Sequence, residues 1–353
     1  SIGTNIKEGP WGGGNLFAKN LKIFLEKNGH DVYDNLLVDD LDIILITEPR
    51  KTSESSAFTH IDVKRYLDYV NDKTIVIHRI NECDERKNTN YVNKYIIQAN
   101  KIADQTIFVS EWLKSVYVKQ GINEKNNNVI LAGSNRDIFN SNNFIPWTSD
   151  KKLRIVTHHW GANWNKGFDV YDKLDKLIGL DDWKDKIEFN YIGNLPKKFK
   201  FENANHIAPL SGIELANAIK QNHLYITGSL NEPSGNHHIE AAQCGLPILY
   251  IDSGGVKEYC EGFGIKYDVS NLQEAISIFM KDSELYYENM KNYPFSSEKM
   301  CKDFENLFFD LLEKREEIYS TRYYEKNKNL IGKGLYLFLR NFKNYSRWIF
   351  RFL

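Results

Sequence analysis

The chain has 353 residues, 42% of them apolar and 26% charged, which suits about two folded domains and excludes a disordered chain. Its 46 Lys and Arg nearly balance 47 Asp and Glu, so a net charge of −1 provides no overall field for nucleic acid. Cys83, Cys244, Cys260 and Cys301 are scattered with no Cys-x-x-Cys pair, which excludes a disulfide frame or zinc ribbon and reads as reduced thiols of a cytosolic protein. No signal peptide is visible, and no apolar run reaches the roughly 20 residues of a membrane span.

SIGTNI (1–6) reads as a strand that begins at once, so a short initiating segment is expected ahead of Ser1. A glycine loop, GPWGGG (9–14), follows, then a helical period from Asn15 to Asn28. LDIILIT (41–47) and TIVIHRI (74–80) are short Ile- and Val-rich runs of the kind buried on both faces of a sheet. Helical periods over 58–70 and 89–103 separate them from each other and from the strand QTIFVS (105–110). After a last strand near 129, an Asn-rich linker ends near 148. The alternation then restarts. LRIVTHH, IEFNYIGN, HLYITGS and LPILYID read as strands, and KGFDVYDKLDKLIG, SGIELANAIKQ, HHIEAAQCG and LQEAISIFMKD as the helices after them. Two runs of β–α units predict an α/β protein of two Rossmann-like, doubly wound domains, 1–147 and 148–318, followed by a basic tail, 319–353.

Ligands of such sheets bind beyond the carboxyl ends of the strands. The loops at 9–14, 78–86, 158–167, 193–196, 207–212 and 228–238 should therefore line a cleft between the domains. The segment NEPSGNHHIEAAQCGLP (231–247) carries the sharpest signal. Glu232 follows a strand, Pro233 and Gly235 hold its loop non-helical, and Gly235 or Asn236 opens the helix containing Glu240. Free N–H groups at 235–238 would form a phosphate site. An acid on each side suits hydroxyls flanking a diphosphate, a sugar's at Glu232 and a ribose's at Glu240. For an isolated pair, a helix-stabilising Glu240 and a solvated Glu232 would be the simpler account; the strand–loop–helix setting favours a site.

This segment resembles the E-x7-E donor-binding stretch of retaining, family-4-type glycosyltransferases of the GT-B fold, through Glu232, Gly235, Glu240, Ala241, Gly245 and Pro247. The resemblance runs to about residue 315. NKGFDVYDKLD (165–175) is similar to the family's Lys-Gly segment, which implies that Lys166 contacts the donor diphosphate. GPWGGGN resembles the acceptor-side glycine loop, and 103–117 and 129–139 resemble linker-proximal segments. The resemblance implies a metal-independent transferase without a bound cofactor, taking a nucleotide-sugar donor and a glycan or lipid-linked acceptor. Donor contacts would come from Lys166, Gly193, Pro209, Glu232, Ser234, Gly235, Asn236, His237 and Glu240. Gly12, Gly13, Gly14, Arg79, Asn81 and Glu82 would face the acceptor, with His78 beside Lys166 and Glu232 in the catalytic set. One departure matters: where the family commonly has an arginine about five residues before the lysine, this chain has Gly161, with His159 or a backbone donor available instead.

Other signals carry less. GPWGGGN is not a GxGxxG fingerprint, and Asp40-Leu41-Asp42 precedes a strand, as a solvated turn does. No His/Cys cluster has metal-ligand spacing. In the tail, Leu335, Phe338, Phe342, Tyr345, Ile349 and Phe352 form one helical stripe opposite Lys333, Arg340 and Arg347, with Lys326, Lys328, Lys343 and Arg351 adding charge and no acid opposing it. An anchor through 330–353 on the anionic inner face of the cell membrane and a helix docked on protein both fit. A nucleotide-sugar epimerase of the same fold and a non-catalytic, two-lobed sugar-binding protein are the rival functions.

Overall fold

The computed structural model describes residues 1–9, 12–322 and 329–350, with side chains described through residue 343. The first lobe runs α1 (Gly13–Lys27), β1 (Ile43–Ile46), α2 (His60–Tyr69), β2 (Ile75–Ile80), α3 (Asp84–Lys87), α4 (Val92–Asn100), β3 (Gln105–Phe108), α5 (Glu111–Lys119) and β4 (Asn127–Val129). The second runs β5 (Leu153–His159), α6 (Phe168–Ile178), β6 (Ile187–Gly193), β7 (Asn205–Ile207), α7 (Gly212–Lys220), β8 (Leu224–Thr227), α8 (Asn236–Gln243), β9 (Ile248–Tyr250), α9 (Val256–Cys260), β10 (Gly264–Lys266) and α10 (Leu272–Met290). Helices α11 (Ser297–Glu313), α12 (Arg315–Thr321) and α13 (Leu330–Phe350) complete it.

Both sheets are parallel throughout. The first has the order β1-β2-β3-β4, and the N-terminal segment adds isolated bridges instead of a full strand, Ile2 to Leu45 of β1 and Thr4 to Ser56. The second has the order β10-β9-β8-β5-β6-β7. Its strand order reverses between β5 and β8, the place where an open parallel sheet leaves a crevice at its carboxyl edge. Helix starts follow local chemistry: Thr59 and Asp62 form a capping box on α2, and Ser110 and Ser296 cap α5 and α11.

The lobes are joined at several points. Tyr259 donates from its hydroxyl to the Val109 carbonyl at 2.5 Å and accepts from the Ala132 N–H at 2.9 Å. The Glu258 carboxylate accepts from the first N–H groups of α5, at 2.8 and 2.9 Å. By packing, α11 belongs to the first lobe: Phe304 lies against Phe17 of α1 with ring centroids 5.1 Å apart, and Met300 and Leu311 share that core. The boundary expected at 318 is therefore crossed earlier, because the apolar stripe of α11 packs on the apolar flank of α1 formed by Phe17, Leu21 and Leu25.

The tail helix combines features of both readings. Tyr336 packs on Tyr69 of α2, and Arg340 is buried, paired with Asp39 at 2.6 Å and donating to the Leu36 carbonyl. Leu335, Phe338, Leu339 and Phe342 point outward and are at least half exposed. The side chains of Tyr345, Arg347 and Ile349, and residues Lys326, Lys328, Arg351 and Phe352, lie outside the described residues. Among the described residues no helix is long and apolar enough to cross a membrane.

Candidate functional site

Two loops meet at the crevice between β5 and β8. The loop after β5 ends in a tight turn, Trp164–Lys166, and Gly167 takes φ 104°, where a side chain would be strained. A Cβ at Gly167 would also lie 2.6 Å from the Gly228 backbone, so the two loops touch main chain to main chain. That contact brings Lys166 Nζ to 2.5 Å from Glu232 Oε2. The Glu232 loop is held in turn: Gly255 N–H donates to the Glu232 carbonyl, and Asn231 N–H to the Ser253 hydroxyl.

Glu232 is 4% exposed and has a second cation. Arg86 of α3, in the opposite lobe, places Nε 3.1 Å from Glu232 Oε1. Burial alone would raise the Glu232 carboxyl; Arg86 and Lys166 outweigh it and hold the group down at about 2. The Lys166 ammonium is itself lowered by burial, against the pull of Glu232.

Beside this cluster stands the tip of α8. Gly235 precedes the helix at φ 81°, no side chain caps it, and no acid occupies its first turn. The first-turn N–H groups therefore carry uncompensated positive potential suited to an anion. A Cβ at Gly235 would strike the His238 ring at 2.5 Å, so glycine is required on packing grounds as well. The tip faces the first lobe, because a Cβ at Gly13 would come 2.9 Å from Asn236 Oδ1. Ser234 and Asn236 are half-buried on that loop. One turn into the helix, Glu240 Oε2 lies 2.9 Å from His158 Nε2, which fixes the carboxylate against β5.

His237 departs from expectation. Its ring turns beneath the tip, with Nε2 3.0 Å from the Thr227 hydroxyl and the His159 ring 4.5 Å away, and burial keeps its pKa far below the ordinary histidine value. His238 is fully buried, and neither ring nitrogen has a hydrogen-bond partner among the described residues. Gly193 takes φ 143°, and a Cβ there would overlap the His159 carbonyl oxygen at 2.0 Å; Pro209 is exposed beyond β7. Both lie at carboxyl ends of strands and could wall the same crevice.

In the first lobe, Gly12–Gly14 form the start of α1, with Gly14 beside the Asn81 amide. Glu82 accepts from Lys87 Nζ at 2.5 Å and from Arg86 Nη1 at 3.3 Å, which makes it a brace for Arg86 and not a free acceptor contact. His78 requires a correction. Successive strand residues face opposite ways, and its ring lies on the α4 side, Nδ1 2.8 Å from Asn100 Oδ1, 1% exposed and pushed down to about 4 by burial. It is a neutral core histidine. Its neighbour Arg79 takes the other face, 3.8 Å over the Phe17 ring and 4% exposed, with no carboxylate or hydrogen-bond acceptor among the described residues. Burial lowers that guanidinium to about 10.

The sequence reading did not single out Arg86, Asn165 or Asn231. Asn165 Nδ2 donates to the Arg86 carbonyl and Asn231 Nδ2 to the Glu85 carbonyl, each at 3.3 Å, so α3 docks on the loops that carry Lys166 and Glu232. Their only sequence signal was that all three fall within the strand-end windows. Among the described residues no group of three His, Cys, Asp or Glu side chains could hold a metal ion. A cavity of about 420 Å³ lined by Leu25, Tyr33, Leu45 and Phe308 lies among the end of α1, β1 and α11, with none of the crevice residues in its wall.

Two facing α/β lobes with this crevice define the GT-B architecture. Residues 194–294 match the family described as glycosyl transferases group 1, and the comparison with curated proteins finds no match. Anabaena Alr3699/HepE in complex with UDP superposes with a TM-score of 0.61 at 12% identity, covering 84% of this chain and 82% of that one. Sucrose-phosphate synthase from Thermosynechococcus elongatus gives 0.57 at 15% identity, covering 87% and 82%. WaaG, a glycosyltransferase involved in lipopolysaccharide biosynthesis, gives 0.56 at 13% identity, covering 91% and 99%. The chain has the GT-B fold and carries a glycosyl transferases group 1 segment in its second lobe.

Proposed function

We propose that the protein transfers a sugar from a nucleotide-diphosphate-sugar to a glycan or lipid-linked acceptor, with retention at the anomeric carbon and without a metal ion. The observation that carries this reading is the adjacency of Lys166, Glu232 and the uncapped start of α8 at the strand-order reversal. As the anomeric C–O bond breaks, its electron pair passes to the diphosphate. Lys166 and the α8 N–H groups stabilise the charge that grows there, and they do so already oriented. The acceptor oxygen forms the new anomeric bond on the face the diphosphate leaves, and its proton passes to the departing phosphate oxygen. Glu232 binds hydroxyls of the transferred sugar, Glu240 the ribose, and Gly193 with Pro209 the base. On the acceptor side stand Gly12–Gly14, Asn81 and Arg79. An unpaired buried guanidinium is costly, which favours acceptors carrying a phosphate or carboxylate.

The outward stripe of α13 supports a second element of the reading, peripheral attachment to the cytoplasmic face of an anionic membrane. Four buried free cysteines suit that reducing side. The test is a panel of UDP-, GDP- and ADP-sugars offered with and without candidate acceptors, the product's anomeric configuration being read by NMR. Conversion of a donor to another sugar nucleotide without acceptor would establish an epimerase instead. Tight sugar binding with no nucleotide dependence would establish a binding protein.

A further inference from the structure

The loop after β5 offers a single cation to the crevice. At Gly161, where a side chain would reach toward Lys166, there is none; a Cβ there would meet only Asn163 Nδ2 at 3.7 Å and Lys166 Cε at 3.9 Å. The second cation comes from the other lobe. Helix α3 presents Arg86 to the carboxylate oxygen that Lys166 leaves unused, 3.1 Å away, while Lys166 holds the other at 2.5 Å. Ionic contact with Glu232 is the main cause that raises the Arg86 guanidinium, so it stays charged.

The docking of α3 is built in. Asp84 accepts from Thr89 Oγ1 at 2.5 Å and from the Val92 and Asn93 N–H groups at 2.9 and 3.0 Å, which fixes the turn that carries Arg86. Glu82 braces the guanidinium from its own lobe, and Asn165 and Asn231 hold the backbone carbonyls of 85 and 86 from the opposite one. In the cluster of Arg86, Lys166, Lys87, Glu82 and Glu232, three cations face two carboxylates. A surplus positive charge is therefore poised where a diphosphate would enter beside the α8 tip.

We propose that Arg86 is the second diphosphate-binding cation, supplied across the cleft by the acceptor lobe, so that the anion site is complete only when the lobes are closed. This deepens the donor reading and rests on it. With no donor, Arg86 and Lys166 share Glu232. When a diphosphate arrives the two cations turn to it, and Glu232 is released toward the sugar hydroxyls. A planar guanidinium suits this exchange, because it can bridge carboxylate and phosphate oxygens in one orientation. Opening the lobes would withdraw Arg86 and weaken the hold on the spent nucleoside diphosphate.

The experiment uses the full chain, titrated calorimetrically with UDP, GDP and ADP and with the monophosphate matching the best binder. Arg86→Ala should weaken the diphosphate about 10- to 100-fold, the range for removing a charge-assisted hydrogen bond to a buried anion. Monophosphate affinity should move no more than about twofold on the same grounds. Arg86→Lys should fall between, and adding Gly161→Arg to Arg86→Ala should restore most of the diphosphate affinity, since the new guanidinium starts beside Lys166. A purely structural strut would not be replaced from position 161. Unchanged diphosphate affinity in a folded Arg86→Ala protein, or equal losses for mono- and diphosphate with no rescue by Gly161→Arg, would overturn the proposal. If no nucleoside diphosphate binds the unaltered chain, the donor reading itself fails, which is a distinguishable result.

Discussion

Glu232→Gln is the perturbation whose size can be worked out most directly. The side chain keeps its shape and loses its charge, leaving Lys166 and Arg86 facing a neutral amide in a site where Glu232 is only 4% exposed. The carboxyl is held at about 2 against an ordinary 4.5, and each unit corresponds to about 1.4 kcal/mol, so the charged form contributes about 3 kcal/mol. Because the folded value is the depressed one, that stability is fully present above pH 4.5 and is lost as pH falls toward 2. Glu232→Gln should therefore lower Tm at pH 7 by roughly 4 °C, and the gap to the unaltered protein should narrow as the buffer is taken from pH 5 to pH 3. Combining it with Lys166→Met should recover part of the loss, since the uncompensated buried ammonium then disappears. Thermal melts across that pH series supply the measurement. Equal melting of the two proteins at pH 7, or a gap that stays constant down to pH 3, would refute the ionic account of the cluster.

Lys166→Ala should reduce transfer from a nucleotide-sugar by about 100- to 1,000-fold in kcat/KM, the scale seen when one donor to developing charge is removed; initial rates with the identified donor provide the check. Glu240→Gln should act mainly through donor KM, with a smaller change in kcat, because its proposed contact is to the ribose and not to the bond that breaks. In α13, replacing Phe338, Leu339 and Phe342 together by serine should abolish sedimentation with anionic phosphatidylserine vesicles while Tm stays within about 2 °C, since exposed side chains contribute little to folding. By contrast, Arg340→Ala should lower Tm, because it strips Asp39 and the Leu36 carbonyl of a buried partner. Retained vesicle binding in the triple-serine protein would remove the membrane reading.

Much of the fold was legible because β–α alternation is a local signal. A strand of Ile and Val, a glycine, and an amphipathic period each need only a few neighbouring residues to be recognised, and both sheets formed from those segments. The same holds for the region around Glu232 and Glu240: strand, non-helical loop and helix start are consecutive, so the placement of an acid beside a helix tip follows from order along the chain. Other features had no local signature. His78 and Arg79 are adjacent and both polar; strand geometry requires opposite faces, but which face meets α4 and which meets α1 depends on the helices packed around them. The return of α11 to the first lobe depends on an apolar flank of α1 more than 270 residues away in sequence. The tail's stripe was readable, yet its direction was decided by Asp39 and Tyr69, which draw Arg340 and Tyr336 inward and leave the apolar side out.

Thus the order of residues by itself determined two α/β lobes, the glycine-dependent turns and the acid-flanked helix tip, since each of these is governed by interactions within one β–α unit. Only the tertiary structure decided that Arg86 meets Glu232, 146 positions apart in the chain and on different lobes. That meeting is set by how the lobes dock, and docking depends on surfaces assembled from distant segments, of which no short stretch of chain carries an imprint.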